Sequence, residues 1–450
     1  MPRQSVIISQ MSLFLKFKND LLLGRVIRSS SALLSANTVS LGLSVLQGAL
    51  VTRLLGPAGF GLIGVVMFYA STVNSIFSFR MSELVVRYGG EYLGQGERER
   101  ASAVMKAAGL VEAIVSILAF FVVLLSADLA EGYLAKTPGM AWMFSVYALG
   151  LLANFNIETS TGILQVTERI RQQGTINLIQ SILSTLVIVA AFIWNGTLPI
   201  VLGAFLLGKS VLGLGMFLAA QIQLHRVLGR GWWKTPLSKM ASVREMVRFA
   251  ISSNISATII KIFRESEILW VGFFLDTTAV GYYRVAYTLV HFLAIPADPL
   301  IATTFPEINR IVVEKAWSRL KEFLNKITSL SFAYNLVLGL GLVFFGRWII
   351  LIYSGDAYLG AYPALIALTI GLVFNYILFW NRPLLLSLGL PEFPIAVTLI
   401  AGLLKLVFAF LLVPRYGIVA AGALLSFYYI ASVGAMVIRG LREIKAKEAG

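Results

Sequence analysis

Apolar stretches of about 20 residues recur along the whole 450-residue chain, and this repetition limits its fold more than any other feature. A stretch of that length spans a bilayer as an α-helix, in which every backbone hydrogen bond is made within the segment. Only 13% of the residues are charged, while 58% are hydrophobic and the mean hydropathy is +0.82. A soluble domain carries about a quarter of its residues as charged ones. Half that share leaves too little polar surface to cover a globule in water. The reading is an all-α membrane protein with about twelve transmembrane helices, in two six-helix bundles around a central cavity.

The expected spans lie near 32–53, 60–80, 106–126, 141–162, 176–194, 198–220, 250–274, 279–303, 327–346, 361–381, 395–413 and 416–438. Ahead of them, residues 1–30 intersperse basic and apolar residues without the apolar core of a signal peptide. That pattern suits an amphipathic segment on the cytoplasmic membrane surface. With the N-terminus inside, 28 of the 37 lysines and arginines fall in cytoplasmic segments. The other nine are Arg53, Lys136, Arg347 and Arg415 in outer loops and Lys209, Lys261, Arg264, Arg284 and Lys405 in spans. The positive-inside rule then places both termini in the cytoplasm of a multi-pass cell-membrane protein. The net charge of +15 reflects loops beside anionic lipid, and no nucleic acid is expected as a partner.

The halves meet at a basic cytoplasmic linker, 223–249, which separates an N-terminal bundle at 31–222 from a C-terminal one at 250–438. A basic tail follows at 439–450. LLGPAGFGLI at 54–63 aligns with FLDTTAVGYY at 274–283, setting Gly61 against Gly281. Duplication of this kind places a substrate site between repeats.

Several chemistries are excluded. There is no cysteine, and the two histidines, His225 and His291, have no metal-ligand spacing, so no metal or other cofactor is expected. GAFLLGKS at 203–210 matches the phosphate-loop pattern, but that pattern works only between a strand and a helix. Here it falls inside an apolar span, where its glycines suit close helix packing, and no nucleotide is expected.

Charged and polar residues within spans are the candidate site, because a charge near the bilayer centre costs at least about 2.5–3.5 kcal/mol. Arg284, His291 and Asp298 recur every seven residues, about 10.5 Å of helical rise. Asn37 and Gln47 lie on one polar stripe, Asn154 and Glu158 on another, and Asn74 on a third span. Lys209 has Glu112 and Glu158 as candidate partners in its half. Lys261–Glu265 and Arg264–Glu267 can neutralise each other along one helix, whereas Arg284, Lys209 and Lys405 have no partner at helical spacing. Glu158, His291 and Asp298 are the residues able to couple transport to a proton or sodium ion.

RLLGPAGFGLIGVVMFYAS at 53–71 and WIILIYSGDAYLGAYPALIAL at 348–368 resemble two recurring turns of the polysaccharide and O-antigen flippases, a family of the multidrug/oligosaccharidyl-lipid/polysaccharide exporter superfamily. The resemblance implies a transporter and not an enzyme. Its implied cargo is a lipid-linked oligosaccharide on a polyprenyl pyrophosphate, moved across the membrane by alternating access for cell-surface polysaccharide synthesis. Cavity cations would meet the pyrophosphate. Arg284 and Arg264 fit best, because a guanidinium binds phosphate oxygens bidentately, with Lys261, Lys209 and Lys405 as second choices. Asn37, Gln47, Asn74 and Asn154 would meet glycan hydroxyls. A drug or small-metabolite antiporter on the same fold is the alternative, although the acid such antiporters carry on the first span is absent. A membrane polysaccharide polymerase or ligase is a further one, although the outer loops are short and Asp128, Glu131 and Asp356 are scattered.

Overall fold

The computed structural model describes the backbone of residues 21–240, 243–260, 262–263, 266–294 and 297–449. Side chains are described from Thr38 onward, except at 252–253, 255–257, 259–260, 297–300, 302–303 and 449. All regular secondary structure among these residues is helical. The helices used below are α1 (Leu21–Phe77), α2 (Arg98–Leu125), α3 (Ala141–Ala153), α4 (Ile157–Val166), α5 (Ile170–Ile193), α6 (Leu198–Leu228) and α7 (Val243–Ile260). They continue as α8 (Glu267–Phe274), α9 (Thr277–His291), α10 (Ala297–Val313), α11 (Trp317–Ser354), α12 (Tyr362–Ile377), α13 (Asn381–Ser387) and α14 (Glu392–Ala449).

Among the described residues, seven helices are long and apolar enough to cross a membrane. Two of them break. In α1, Gly56 has φ 65° and ψ 179°, and in α14, Gly417 has φ 63° and ψ −148°. Positive φ is open to glycine because no Cβ meets the backbone. Pro57 directly follows Gly56, at the first position of the new helical stretch, where its missing N–H costs no hydrogen bond.

Three expected spans are interrupted where the sequence reading ran them on. Residues 141–162 divide into α3 and α4 at Asn154–Asn156, and 250–274 divides into α7 and α8 around the charged run. Residues 279–303 leave α9 for a short 3-10 turn at Phe292–Ala294, just ahead of Pro296 in the sequence. The pieces α3, α4, α8 and α9, of 13, 10, 8 and 15 residues, are each too short to span a bilayer alone.

By contacts, the chain divides into two compact units. The first takes residues up to Gly48, Phe77–Phe120 and Leu149–Ser253; the second takes Ala49–Ile76, Phe121–Ala148 and Asn254 onward. In the first unit, the Gln47 amide is buried and donates from Nε2 to the Ser181 carbonyl (3.1 Å) and to Thr185 Oγ1 (2.8 Å), tying α1 to α5. The Glu112 carboxylate of α2 accepts from the backbone N–H groups of Glu158 and Thr159, both at 2.8 Å. It thereby satisfies two of the unpaired amides at the start of α4. Residues 203–210 run unbroken through the middle of α6, so their N–H groups serve the helix and cannot surround a phosphate.

In the second unit, the two aligned glycines meet. A Cβ on Gly61 would strike the Thr277 carbonyl and the Gly281 amide nitrogen, and one on Gly281 would strike the Pro57 carbonyl. The repeated turns therefore pack at backbone contact, which only hydrogen side chains permit. Elsewhere in this unit, Ile308, Leu320, Leu324, Phe379, Trp380 and Leu384 belong to a shared core.

Candidate functional site

Arg284 stands where both recurring turns converge. Its Nη1 donates to the Phe60 carbonyl at 3.1 Å, and its guanidinium carbon lies 4.1 Å from the Phe60 ring centroid. The Tyr147, Tyr353 and Tyr358 phenols lie in its electrostatic surroundings. Tyr358, from the second turn, meets the Phe60 ring edge-on (centroids 6.3 Å apart) and donates from its hydroxyl to the Thr52 carbonyl at 3.2 Å. Arg53 Nη2 donates to the Ile352 carbonyl at 2.5 Å. Two stretches nearly 300 positions apart in the chain are thus joined through one arginine and its aromatic neighbours.

Deeper in the same unit, Lys405 pairs with Glu267 and also donates to the Phe263 carbonyl at 2.5 Å. Lys405 and Glu267 are 4% and 6% exposed, so this is a fully desolvated pair. The Tyr283 hydroxyl donates to Glu267 at 3.5 Å, and the Lys405 ammonium lies 5.4 Å from the Tyr428 ring centroid.

The described walls of a cavity of ≈ 790 Å³ all belong to the second unit. Its walls include Tyr287, His291, Asn375, Arg382, Thr398 and Tyr429. The volume falls in the range of small-molecule sites, about 300–1,000 Å³. Tyr283, Tyr287 and His291 recur every four residues on α9 with nearly parallel rings, 18° and 20° apart, at centroid spacings of 6.4 and 5.5 Å. Tyr287 and His291 line the cavity, while Tyr283 is fully buried behind them. No carboxylate is among the described lining residues, and Arg382 is the one full cation there.

Of the residues expected from the sequence, the second unit brings His291 to this cavity and places Arg284 two helical turns, about 10.5 Å, further along α9. Lys405 lies behind the wall formed by Tyr428. Asn74 is half-buried in the same unit and does not line the cavity. Gln47, Asn154, Glu158 and Lys209 lie in the first unit. There Glu158 accepts from Ser82 Oγ at 2.5 Å, and Asn154 Oδ1 is buried with no hydrogen-bond partner. The Lys209 methylenes pass over Gly150. Lys261 and Arg264 lie outside the described residues, as do the side chains of Asn37 and Asp298. Arg382 was not singled out by sequence reasoning, which counts it among loop cations. Its signal is local: a cation in NRP, immediately after the span at 361–381.

The fold is one that solved membrane transporters also adopt. The structure superposes on an inward-facing multidrug-resistance MATE family transporter of the MOP superfamily with a TM-score of 0.72 at 15% identity, over 90% of this chain and 95% of the other. It superposes on the lipid II flippase MurJ, in an inward closed conformation, with a TM-score of 0.66 at 14% identity, over 92% and 89%. The fold is therefore shared with a MATE family transporter and with MurJ. Residues 26–312 match the family described as polysaccharide biosynthesis protein, and the chain belongs to that family. It is also 24% identical over 287 residues to the inner membrane protein YghQ of Escherichia coli (strain K12), covering 64% of this chain and 81% of YghQ.

Proposed function

We propose that this protein is a flippase that carries a lipid-linked oligosaccharide, on a polyprenyl pyrophosphate, across the cytoplasmic membrane for cell-surface polysaccharide synthesis. The observation that carries the reading is the second-unit cavity, whose described lining offers aromatic faces, two amides, hydroxyls and a guanidinium but no carboxylate. Such a lining suits a sugar or an anion, whereas a drug cation would meet aromatic faces there but no described carboxylate to neutralise it. Membership of a polysaccharide biosynthesis family supports the same cargo, as does the fold shared with the lipid II flippase MurJ.

On this reading the chain crosses the membrane twelve times, in two six-helix halves around a central cavity. The long helices broken at Gly56 and Gly417 each cross twice, and the interrupted segments α3–α4, α7–α8 and α9–α10 supply three further crossings. The expected boundaries are retained, with a linker at 223–249 and both termini in the cytoplasm. Transport proceeds by alternating access. Arg284 and Arg264 are the proposed pyrophosphate contacts, with Lys261, Lys209 and Lys405 behind them. Asn37, Gln47, Asn74 and Asn154 are proposed for glycan hydroxyls, and Glu158, His291 and Asp298 for ion coupling.

A strain lacking the gene tests the cargo. Lipid-linked sugars are extracted and their leaflet is probed in sealed cells. The expected result is an oligosaccharide-lipid held on the cytoplasmic leaflet and released when the gene is restored. An active glycan pathway without any accumulating intermediate would favour the small-molecule antiporter, and an intermediate on the outer leaflet would favour a polymerase or ligase. In the restored strain, Arg284→Ala should slow release at least about tenfold while the protein remains inserted, the scale of a lost charge-assisted contact. Release at the unmodified rate would remove Arg284 from the pyrophosphate site.

A further inference from the structure

The two recurring turns also build a surface cleft of ≈ 430 Å³, lined by Thr52, Arg53 and Gly56 from the first turn and by residues 351 and 354–358 from the second. All of these residues belong to the second unit. Gly56 and Gly355 hold φ of 65° and 94°, and a Cβ on either would meet nothing within 4 Å, so the space over both turns is open. The cleft lies where α11 ends at Ser354 and where α1 breaks at Gly56. A long apolar helix leaves the hydrocarbon at such an end, which sets the cleft at the level of lipid headgroups.

Two opposite charges line it without meeting. Arg53 and Asp356 are both exposed, and among the described residues neither forms an ion pair, with the other or with a third group. The bond from Arg53 Nη2 to the Ile352 carbonyl, at 2.5 Å, holds the guanidinium over the end of α11. Its Nε and Nη1 have no partner among the described residues. Asp356 Oδ1 accepts from the Ala357 N–H at 2.9 Å, which leaves Oδ2 for a further donor. A phosphate suits the guanidinium, and a primary ammonium suits the carboxylate.

An apolar path leads to the same place. Phe344, Trp348 and Ile352 recur every four residues on α11, over about 12 Å of rise. They are 70%, 68% and 71% exposed, so the stripe is open to an acyl chain along its length. Trp348, with its apolar body and polar N–H, is the kind of residue that sits at the membrane interface.

We infer that the cleft binds the headgroup of a phosphoethanolamine lipid, with its phosphate on Arg53, its ammonium on Asp356 and an acyl chain on the stripe of Phe344, Trp348 and Ile352. The cleft volume is that of a small-molecule site and admits a headgroup, while the chains stay outside on α11. Phosphatidylglycerol supplies the phosphate but turns no cation toward Asp356. Phosphatidylcholine carries a quaternary ammonium, which has no N–H to donate to the carboxylate. The inference goes beyond the flippase reading, because no part of it uses the cargo.

Native mass spectrometry of the full-length protein in detergent tests it, with titration by phosphatidylethanolamine, phosphatidylglycerol and phosphatidylcholine of identical acyl chains. The first phosphatidylethanolamine should bind about threefold or more tighter than the first of either other lipid, a step within the range of an exposed ion pair. Asp356→Asn should abolish the preference over phosphatidylglycerol, and Arg53→Gln should weaken both of these lipids. If Arg53→Gln fails to fold through loss of its bond to the Ile352 carbonyl, Asp356→Asn still decides, since its exposed side chain bonds only within its own turn.

Equal binding of the three lipids would overturn the site, as would tighter binding of phosphatidylglycerol. A preference that survives Asp356→Asn, or affinities unchanged in a folded Arg53→Gln variant, would remove the headgroup from this cleft. A dimer that comes apart in Arg53→Gln would show that a second copy of the chain covers the cleft, and would also overturn the inference.

Discussion

Lys405 and Glu267 place opposite charges in a water-free interior, where each depends on the other. Removing one partner of a buried pair leaves an uncompensated charge and costs about 3–5 kcal/mol, whereas replacing both is nearly neutral. Lys405→Met should therefore lower the thermal midpoint of the protein in detergent markedly, and Lys405→Met combined with Glu267→Gln should regain most of the loss. Equal midpoints for the single and double variants would show that the pair carries no such coupling. The partnership illustrates what the sequence cannot display. Glu267 is three residues from Arg264, which suggests neutralisation along one helix, but Lys405 reaches it from α14, 138 positions away. The seven-residue rhythm of Arg284 and His291 was legible, because both lie on one helix and helical spacing is a local property. Arg382 was not, because nothing in a short polar motif after a span tells whether it faces solvent or a cavity.

At the scale of elements, the Gly61–Gly281 crossing is the feature with the smallest tolerance. An added methyl group at either position would meet backbone rather than a movable side chain. Gly61→Ala and Gly281→Ala should each destabilise the protein by about 1–3 kcal/mol, read as a lower thermal midpoint in detergent, the usual cost of overpacking. Gly203→Ala should have little effect by the same measurement, since an added Cβ there meets nothing within 4 Å. The alignment at 54–63 and 274–283 was visible as weak sequence symmetry, and the structure gives it a physical cause: both repeats need glycine where the turns touch. The misleading GAFLLGKS match was also resolvable from sequence, because its apolar neighbours fix a helix. The interruptions at Asn154–Asn156 and ahead of Pro296 were harder to read. Hydropathy averages over a window and passes across a short turn between two apolar pieces.

For the whole molecule, the account depends on orientation and on cargo. Because the chain has no cysteine, single substitutions report sidedness without background. Lys239→Cys should react with a membrane-impermeant maleimide only in inverted vesicles, and Asp356→Cys only in right-side-out vesicles, as the lysine and arginine distribution requires. The reverse labelling would invert the topology. The all-helical class was legible from composition and span length, which are properties of the whole chain. The proposed cargo came only through resemblance, because the two sharp motifs lie at the turns and pack around Arg284, and Phe68 is their one residue among the described walls of the cavity. The most direct test of the central claim is reconstitution. Purified protein is placed in liposomes with a fluorescent polyprenyl-pyrophosphate oligosaccharide, and the fraction accessible to an external quencher is followed over time. The account predicts that the lipid in the inner leaflet becomes quenchable in vesicles holding the protein and stays protected in vesicles without it. Equal protection in both, with the protein shown to be folded and inserted, would contradict it.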